Sequence, residues 1–126
     1  MRILLDTCAV IALSEGTLSG KAADVLRAAP EAVVSIVSPW EIGIKCAKGR
    51  IKISEPLAVW FERLVRRFNL RVLPLDSTTV IAAAALPMIH RDPFDRVLVA
   101  TALAHRLTIL TSDSKIAAYP GIRTFW

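Results

Sequence analysis

The sequence predicts a single α/β domain spanning residues 1–126, with a mainly parallel sheet flanked by helices on both faces. Three observations carry this reading. Short apolar, β-compatible runs alternate with longer helical stretches from one end of the chain to the other. The run Ala32 to Val37 is rich in β-branched residues, as in parallel strands covered on both sides. No repeat, linker or low-complexity tract divides the chain, and its length is that of one domain.

The elements follow in order. Arg2 to Leu5 reads as a short buried strand stopped by the polar pair Asp6-Thr7, with a helix after it. Gly20 to Ala29 is helical and ends before Pro30, because proline disfavours helix in the residue before it. Ala32 to Val37 is the second strand. Ser38-Pro39-Trp40-Glu41 then offers a capping hydroxyl, a proline at the first helical position and an acid at N3, opening a helix to about Lys48 that Gly49 ends. Leu57, Trp60, Phe61, Leu64, Val65 and Phe68 fall at helical spacing, with Glu62, Arg63, Arg66 and Arg67 on the solvated side. Arg71 to Leu75 is a strand, and Ser77 to Leu86 an alanine-rich helix stopped by Pro87. Asp92 caps a helix running to about His105; Thr108 to Thr111 is a strand, Asp113 to Ala118 a short helix and Ile122 to Phe125 a last strand.

Composition narrows the function classes. With 54% hydrophobic residues the chain can bury a core unaided, yet charges break every apolar run well before the roughly 18 to 20 residues of a membrane span. No export signal is visible at the start, and the two cysteines, Cys8 and Cys46, form neither a CxxC pair nor zinc spacing, so a cytoplasmic protein is expected. A net charge of +5 fits a polyanionic partner such as nucleic acid, or serves only solubility. Phosphate-cradling glycine motifs, a Walker lysine and a G-x-S-x-G turn are absent, which removes NTPase and α/β-hydrolase readings.

Open parallel sheets gather their sites at the carboxyl ends of strands. Asp6, the Ser38 to Glu41 turn and the Thr111 to Asp113 turn all lie there, and Asp95 opens a nearby helix. Each acid has a plain structural alternative: Glu41 as the N3 member of a capping box, Asp95 as a complement to its helix dipole, Asp113 as a cap, Asp6 as a turn residue. Together they repel one another unless a cation neutralises them, and all-oxygen donors suit Mg²⁺ or Mn²⁺. Such an ion acidifies water and polarises a phosphodiester, which is nuclease chemistry. Thr7 and Thr111 are hydroxyls that either hold a water at this rim or satisfy a turn backbone. His90 and His105 have no ligand-like spacing.

The blocks LLDT (Leu4 to Thr7), VSPWEIGIK (Val37 to Lys45), HRDPFDRVLVATAL (His90 to Leu103) and LTSD (Leu110 to Asp113) occur in an order and spacing that resemble a PIN-domain ribonuclease, in particular the toxin of a VapBC-type toxin-antitoxin pair. The likeness runs over nearly the whole chain. It implies that Asp6, Glu41, Asp95 and Asp113 bind Mg²⁺ or Mn²⁺, that RNA is the substrate, that the protein forms a homodimer, and that a cognate antitoxin blocks the site. Cys8 departs from similar proteins, which more often carry Ser or His there; a small buried side chain is expected.

Lys45 and Lys48 share a face with Glu41, and Arg50 and Lys52 follow. They form a phosphate track toward RNA, or else Lys45 pairs with Glu41 and Lys48 complements the helix end. Two other functions compete. A receiver-like phosphoacceptor domain also collects acids at strand ends, but its first strand ends in adjacent acids and this one ends in a single Asp6. A non-catalytic RNA-binding module would not keep carboxylates that oppose phosphate in the absence of metal.

Overall fold

The computed structural model describes residues 1–126. Its elements are β1 (Arg2–Leu5), α1 (Thr7–Glu15), α2 (Gly20–Ala28), β2 (Glu31–Ser35), α3 (Val37–Ala47), α4 (Leu57–Arg67), β3 (Arg71–Leu73), α5 (Ser77–Ala85), α6 (Pro93–His105), β4 (Thr108–Leu110), α7 (Ser114–Ala117) and β5 (Thr124–Phe125). The five strands form one sheet in the order β3-β2-β1-β4-β5, and every pairing is parallel. No helix is long and apolar enough to cross a membrane.

Alternation along the strands sends the apolar residues to both faces, as a doubly covered sheet requires. Leu4 aligns with Val33 on one side and Ile109 on the other, and these three pack with Leu73 against Leu98, Val99 and Ala102 of α6. Ile3, Leu5, Val34 and Leu110 point the other way, against Ala9 and Val10 of α1, Ile42 of α3 and Leu64 of α4. Burying one such Leu or Ile is worth about 1.5 to 3 kcal/mol, so the two layers together fix the strand register. At the amino ends, Glu31 ties β1 to β3 across β2, bonding Arg2 Nε at 2.6 Å and Arg71 Nη1 at 2.8 Å. These two guanidinium groups, Arg71 first, hold its carboxyl below the usual range.

The chain builds outward from β1 to β2 and β3, then returns across the sheet to β4. The carboxyl ends of β1 and β4 therefore flank the point where strand order reverses, the place in an open sheet where a crevice forms.

The second strand ends two residues earlier than the sequence pattern suggests, and the Ser38 cap is not formed. Ile36 N–H bonds to Leu73 O at 2.9 Å and Val37 N–H to Ser35 Oγ at 3.2 Å, so the ladder closes at Ser35 and the helix opens at Val37. Ile36 holds the cap position without a side-chain bond. Pro39 then falls at N3, where its missing N–H is still one of the helix's unpaired donors. Glu41 is thus displaced from N3 into the next turn, free of any capping duty. Gly49, in the left-handed region at φ 72°, closes this helical segment as expected.

Arg96 is buried in α6 with no acidic partner. Its Nη2 donates to Ala83 O at 2.8 Å and Leu86 O at 2.9 Å, and its Nη1 to Pro87 O at 3.0 Å and His90 O at 3.2 Å. The end of α5 and the loop after it leave carbonyls short of strong donors, with Ala83 O taking only a long 3.4 Å bond from the Leu86 N–H, and one guanidinium supplies them while pinning residues 86–90 to α6.

Candidate active site

Asp6 ends β1 and caps α1, taking the Ala9 N–H on Oδ1 at 2.7 Å and the Thr111 hydroxyl on Oδ2. That hydroxyl also accepts the Asp113 N–H at 3.0 Å, so Thr111 locks the end of β4 to the end of β1. Glu41 reaches in from α3, where Thr7 Oγ1 donates to its Oε1 at 2.6 Å and Lys45 Nζ lies 2.7 Å from its Oε2. The threonines thus orient carboxylates, and Thr111 satisfies a turn N–H as well. Asp95 stands in the first turn of α6, and Asp113 caps α7 through the Lys115 N–H at 2.8 Å.

The acids are close enough to act on one another. Burial pushes Asp6 up, against hydrogen bonds from Thr111 and Ala9, and the charges of Glu41 and Asp113 add to the rise. Asp95 is raised to about 7, first by burial, then by the charges of Asp92 and Glu41, with Asp6 contributing. Burial also acts upward on Asp113, but its bonds from His90 and the Lys115 N–H outweigh it and hold this carboxyl below the ordinary range. The site collects four carboxylates with too little positive charge for them. Lys45 is committed to Glu41, whose bond and charge hold its ammonium above the usual value despite burial.

The family model described as PIN domain matches residues 3–122 of the chain. The chain belongs to the PIN domain family. Among relatives of this PIN domain, ribonuclease VapC22 of Mycobacterium tuberculosis is 28% identical over 112 residues, 86% of this chain and 85% of the relative. The solved structure of VapBC2 from Rickettsia felis bound to a DNA fragment from its promoter superposes with a TM-score of 0.74 at 13% identity, covering 99% of this chain and 98% of that one. DNA-bound VapBC from Salmonella typhimurium gives 0.72 at 18% identity, covering 99% and 97%. A toxin-antitoxin complex from Klebsiella pneumoniae gives 0.67 at 21% identity, covering 95% and 94%. At these identities the solved structures show a shared fold. The family match also removes the receiver-like alternative.

In this PIN domain the sequence pattern missed one contributor and misplaced another. His90 has no ligand-like spacing in sequence, yet its Nε2 lies 2.9 Å from Asp113 Oδ2 and 3.1 Å from Asp95 Oδ2. The chain reverses between α5 and α6, and only that path brings it to the rim. Cys8 is exposed rather than buried, because the start of α1 turns this position outward at the open end of the sheet. Partial shielding by its neighbours, then the charge of Asp6, push the thiol up and away from reactivity. Of the basic residues, Lys45 forms the i,i+4 pair with Glu41, while Lys48, Arg50 and Lys52 are exposed at and beyond the end of α3.

Asp92 and Asp95 separate cleanly. Asp92 Oδ1 accepts the Phe94 N–H at 2.9 Å as the cap of α6, whereas Asp95 faces the other acids. Asp92→Ala is expected to cost about 0.5 to 2 kcal/mol, read as a lower urea midpoint, with RNA cleavage retained within a few-fold. Cleavage lost from Asp92→Ala at unchanged stability would reverse the two assignments.

Proposed function

We propose that this chain is a divalent-metal-dependent endoribonuclease, using Mg²⁺ or Mn²⁺ to hydrolyse RNA phosphodiester bonds, and that it acts in the cytoplasm as the toxin of a toxin-antitoxin pair. The observation that carries the reading is the convergence of Asp6, Glu41, Asp95 and Asp113 without a matching cation, strongest at Asp95, whose carboxyl sits near 7. A protein that gathers unneutralised carboxylates where strand order reverses is suited to bind a hard cation there. The donors fit that ion, since they are carboxylate oxygens with threonine hydroxyls beside them. The relative named as a ribonuclease and the fold shared with toxin-antitoxin complexes support RNA as substrate and a cognate antitoxin as partner. A homodimer is part of the same proposal.

Asp6, Glu41, Asp95 and Asp113 would hold the ion, which supplies an acidified water and charge against the phosphate oxygens in the transition state. The chain's own residues hold the site ready. Thr111 and the Ala9 N–H fix both oxygens of Asp6, and Thr7 and Lys45 fix both of Glu41, so neither must reorganise on binding. Exposed Lys48, Arg50 and Lys52 offer charge to an RNA backbone near the far end of α3.

Purified protein incubated with a mixed RNA pool should cleave with Mg²⁺ or Mn²⁺ present and stop in excess EDTA. Undiminished cleavage in EDTA overturns the metal requirement. Binding without cleavage under any ion restores the non-catalytic RNA-binding module. Expression in a bacterial host should arrest growth and be rescued by the antitoxin; harmless expression of nuclease-competent protein counts against the toxin role.

A further inference from the structure

We propose that His90 is a positioning residue of this site, whose Nε2–H donates to Asp113 while its ring stands against Asp95, and that it is not itself a metal ligand. This rests on the metal-dependent reading above.

The side-chain atoms of His90, Asp95 and Asp113 lie within 4.8 Å of one another, and that grouping by itself looks like a cation site with one nitrogen donor. The other ring nitrogen decides against it. Asp92 N–H donates to His90 Nδ1 at 3.1 Å. A backbone N–H can only donate, so Nδ1 is the acceptor and the ring proton sits on Nε2. An Nε2 that carries a proton has no lone pair for a metal. It has a hydrogen to give, and its acceptor is Asp113 Oδ2 at 2.9 Å. Asp95 Oδ2 stands 3.1 Å from the same nitrogen, beside that bond.

The backbone of His90 is held as firmly as its ring. Its N–H donates to Tyr119 Oη at 2.9 Å, and its carbonyl accepts from Arg96 Nη1 at 3.2 Å. Arg96 Nη1 also lies 3.3 Å from Tyr119 Oη, so a buried Arg, a buried Tyr and the loop before α6 form one scaffold under the imidazole. The ring joins Asp95, on α6, to Asp113, at the start of α7. These two acids come from elements on the same side of the sheet but with no direct bond to each other. A donor that orients ligating carboxylates raises metal affinity without touching the metal, and its removal costs roughly 10- to 100-fold.

The test has two readouts. In uniformly ¹⁵N-labelled, metal-free protein, long-range ¹H–¹⁵N correlation spectra of the ring should show the Nε2–H tautomer of His90, unchanged in proton location when Mg²⁺ is added. An Nδ1–H tautomer, which frees Nε2 to bind an ion, or an Nε2 that releases its proton to solvent as the added ion binds it, overturns the proposal. Mn²⁺ binding followed by calorimetry should then weaken roughly 10- to 100-fold in His90→Ala and recover most of that loss in His90→Gln, whose amide N–H can serve one carboxylate. Equal Mn²⁺ affinity in the parent and in folded His90→Gln and His90→Ala overturns it, whatever happens to cleavage. A parent protein that binds no Mn²⁺ instead sinks the metal-dependent reading itself, and this inference falls with it; that outcome is distinct from a parent that binds and variants that bind equally.

Discussion

Asp95→Asn is expected to lower RNA cleavage at least about 100-fold while leaving the metal-free protein as stable as the parent or more stable. The loss follows because a bound ion contributes several kcal/mol to phosphodiester hydrolysis, and the amide keeps size while removing the charge the ion needs. The stability follows from the carboxyl's own environment. Burial and the charges of Asp92 and Glu41 raise it from 3.8 to about 7. A group whose pKa is higher in the folded state favours the fold fully below its unfolded value, and that contribution is lost as pH rises through the folded value. Metal-free parent protein should therefore weaken between about pH 4 and pH 7, by a few kcal/mol at most given about 1.4 kcal/mol per unit, and Asp95→Asn should not follow that part of the decline. Urea unfolding at pH 5 and pH 8 in EDTA reads the difference. Added Mg²⁺ should restore the parent and do less for the variant, since a ligand stabilises only the state that binds it. Normal cleavage by Asp95→Asn removes this residue from the site; the same pH decline in both proteins assigns the destabilisation to another group.

Arg96→Met should destabilise the fold by on the order of 4 kcal/mol, and Arg96→Lys should recover only part of it. The side chain of Met fills the volume but leaves Leu86 O without a donor and strips the charged one from Ala83 O, Pro87 O and His90 O, which keep only Leu86 N–H, Ile89 N–H and the Tyr119 hydroxyl; hydrogen bonds to a charged group are worth about 1.5 to 3 kcal/mol each and an unsatisfied acceptor about 1 to 3. Lysine keeps the charge but offers donors from one point, not from the two ends of a planar fork. No carboxylate accompanies this cation, so the effect should change little with salt. Full stability of Arg96→Lys in urea melts would show that charge, not the fork, is what the site uses.

Much of the fold was legible because its signals are local. Asp92-Pro93 marks the start of α6, the heptad-like spacing from Leu57 marks α4, and the apolar runs mark the strands, all within a few residues of one another. The boundary at Ser35 was not, because it is set by a neighbour: Leu73 O takes the Ile36 N–H, and a bond from another strand outweighs the Ser-Pro-x-Glu pattern beside it. The same division runs through the candidate site. Asp6, Glu41, Asp95 and Asp113 could be nominated from their places at strand and helix ends. His90 could not, since what marks it is the Asp92 N–H two residues on and acids brought near by the crossing from α5 to α6. Lys45 had two readings of equal standing, and only the 2.7 Å contact with Glu41 distinguished them.

The pairing of β1 with β4 has a consequence for how the protein is made. The Thr111 hydroxyl that fixes Asp6 lies 105 positions further along the chain, and Asp113 follows it. Ribosomes release a polypeptide from its amino end, and early segments fold as they emerge. β1, β2 and β3 can associate first, presenting Asp6 and Glu41, but the strand that seats against the other edge of β1 emerges only after α5 and α6. A nascent chain stalled before that strand carries Asp6, Glu41 and Asp95 but neither Asp113 nor the Thr111 that fixes Asp6, so the proposed site is completed in a single step when β4 docks.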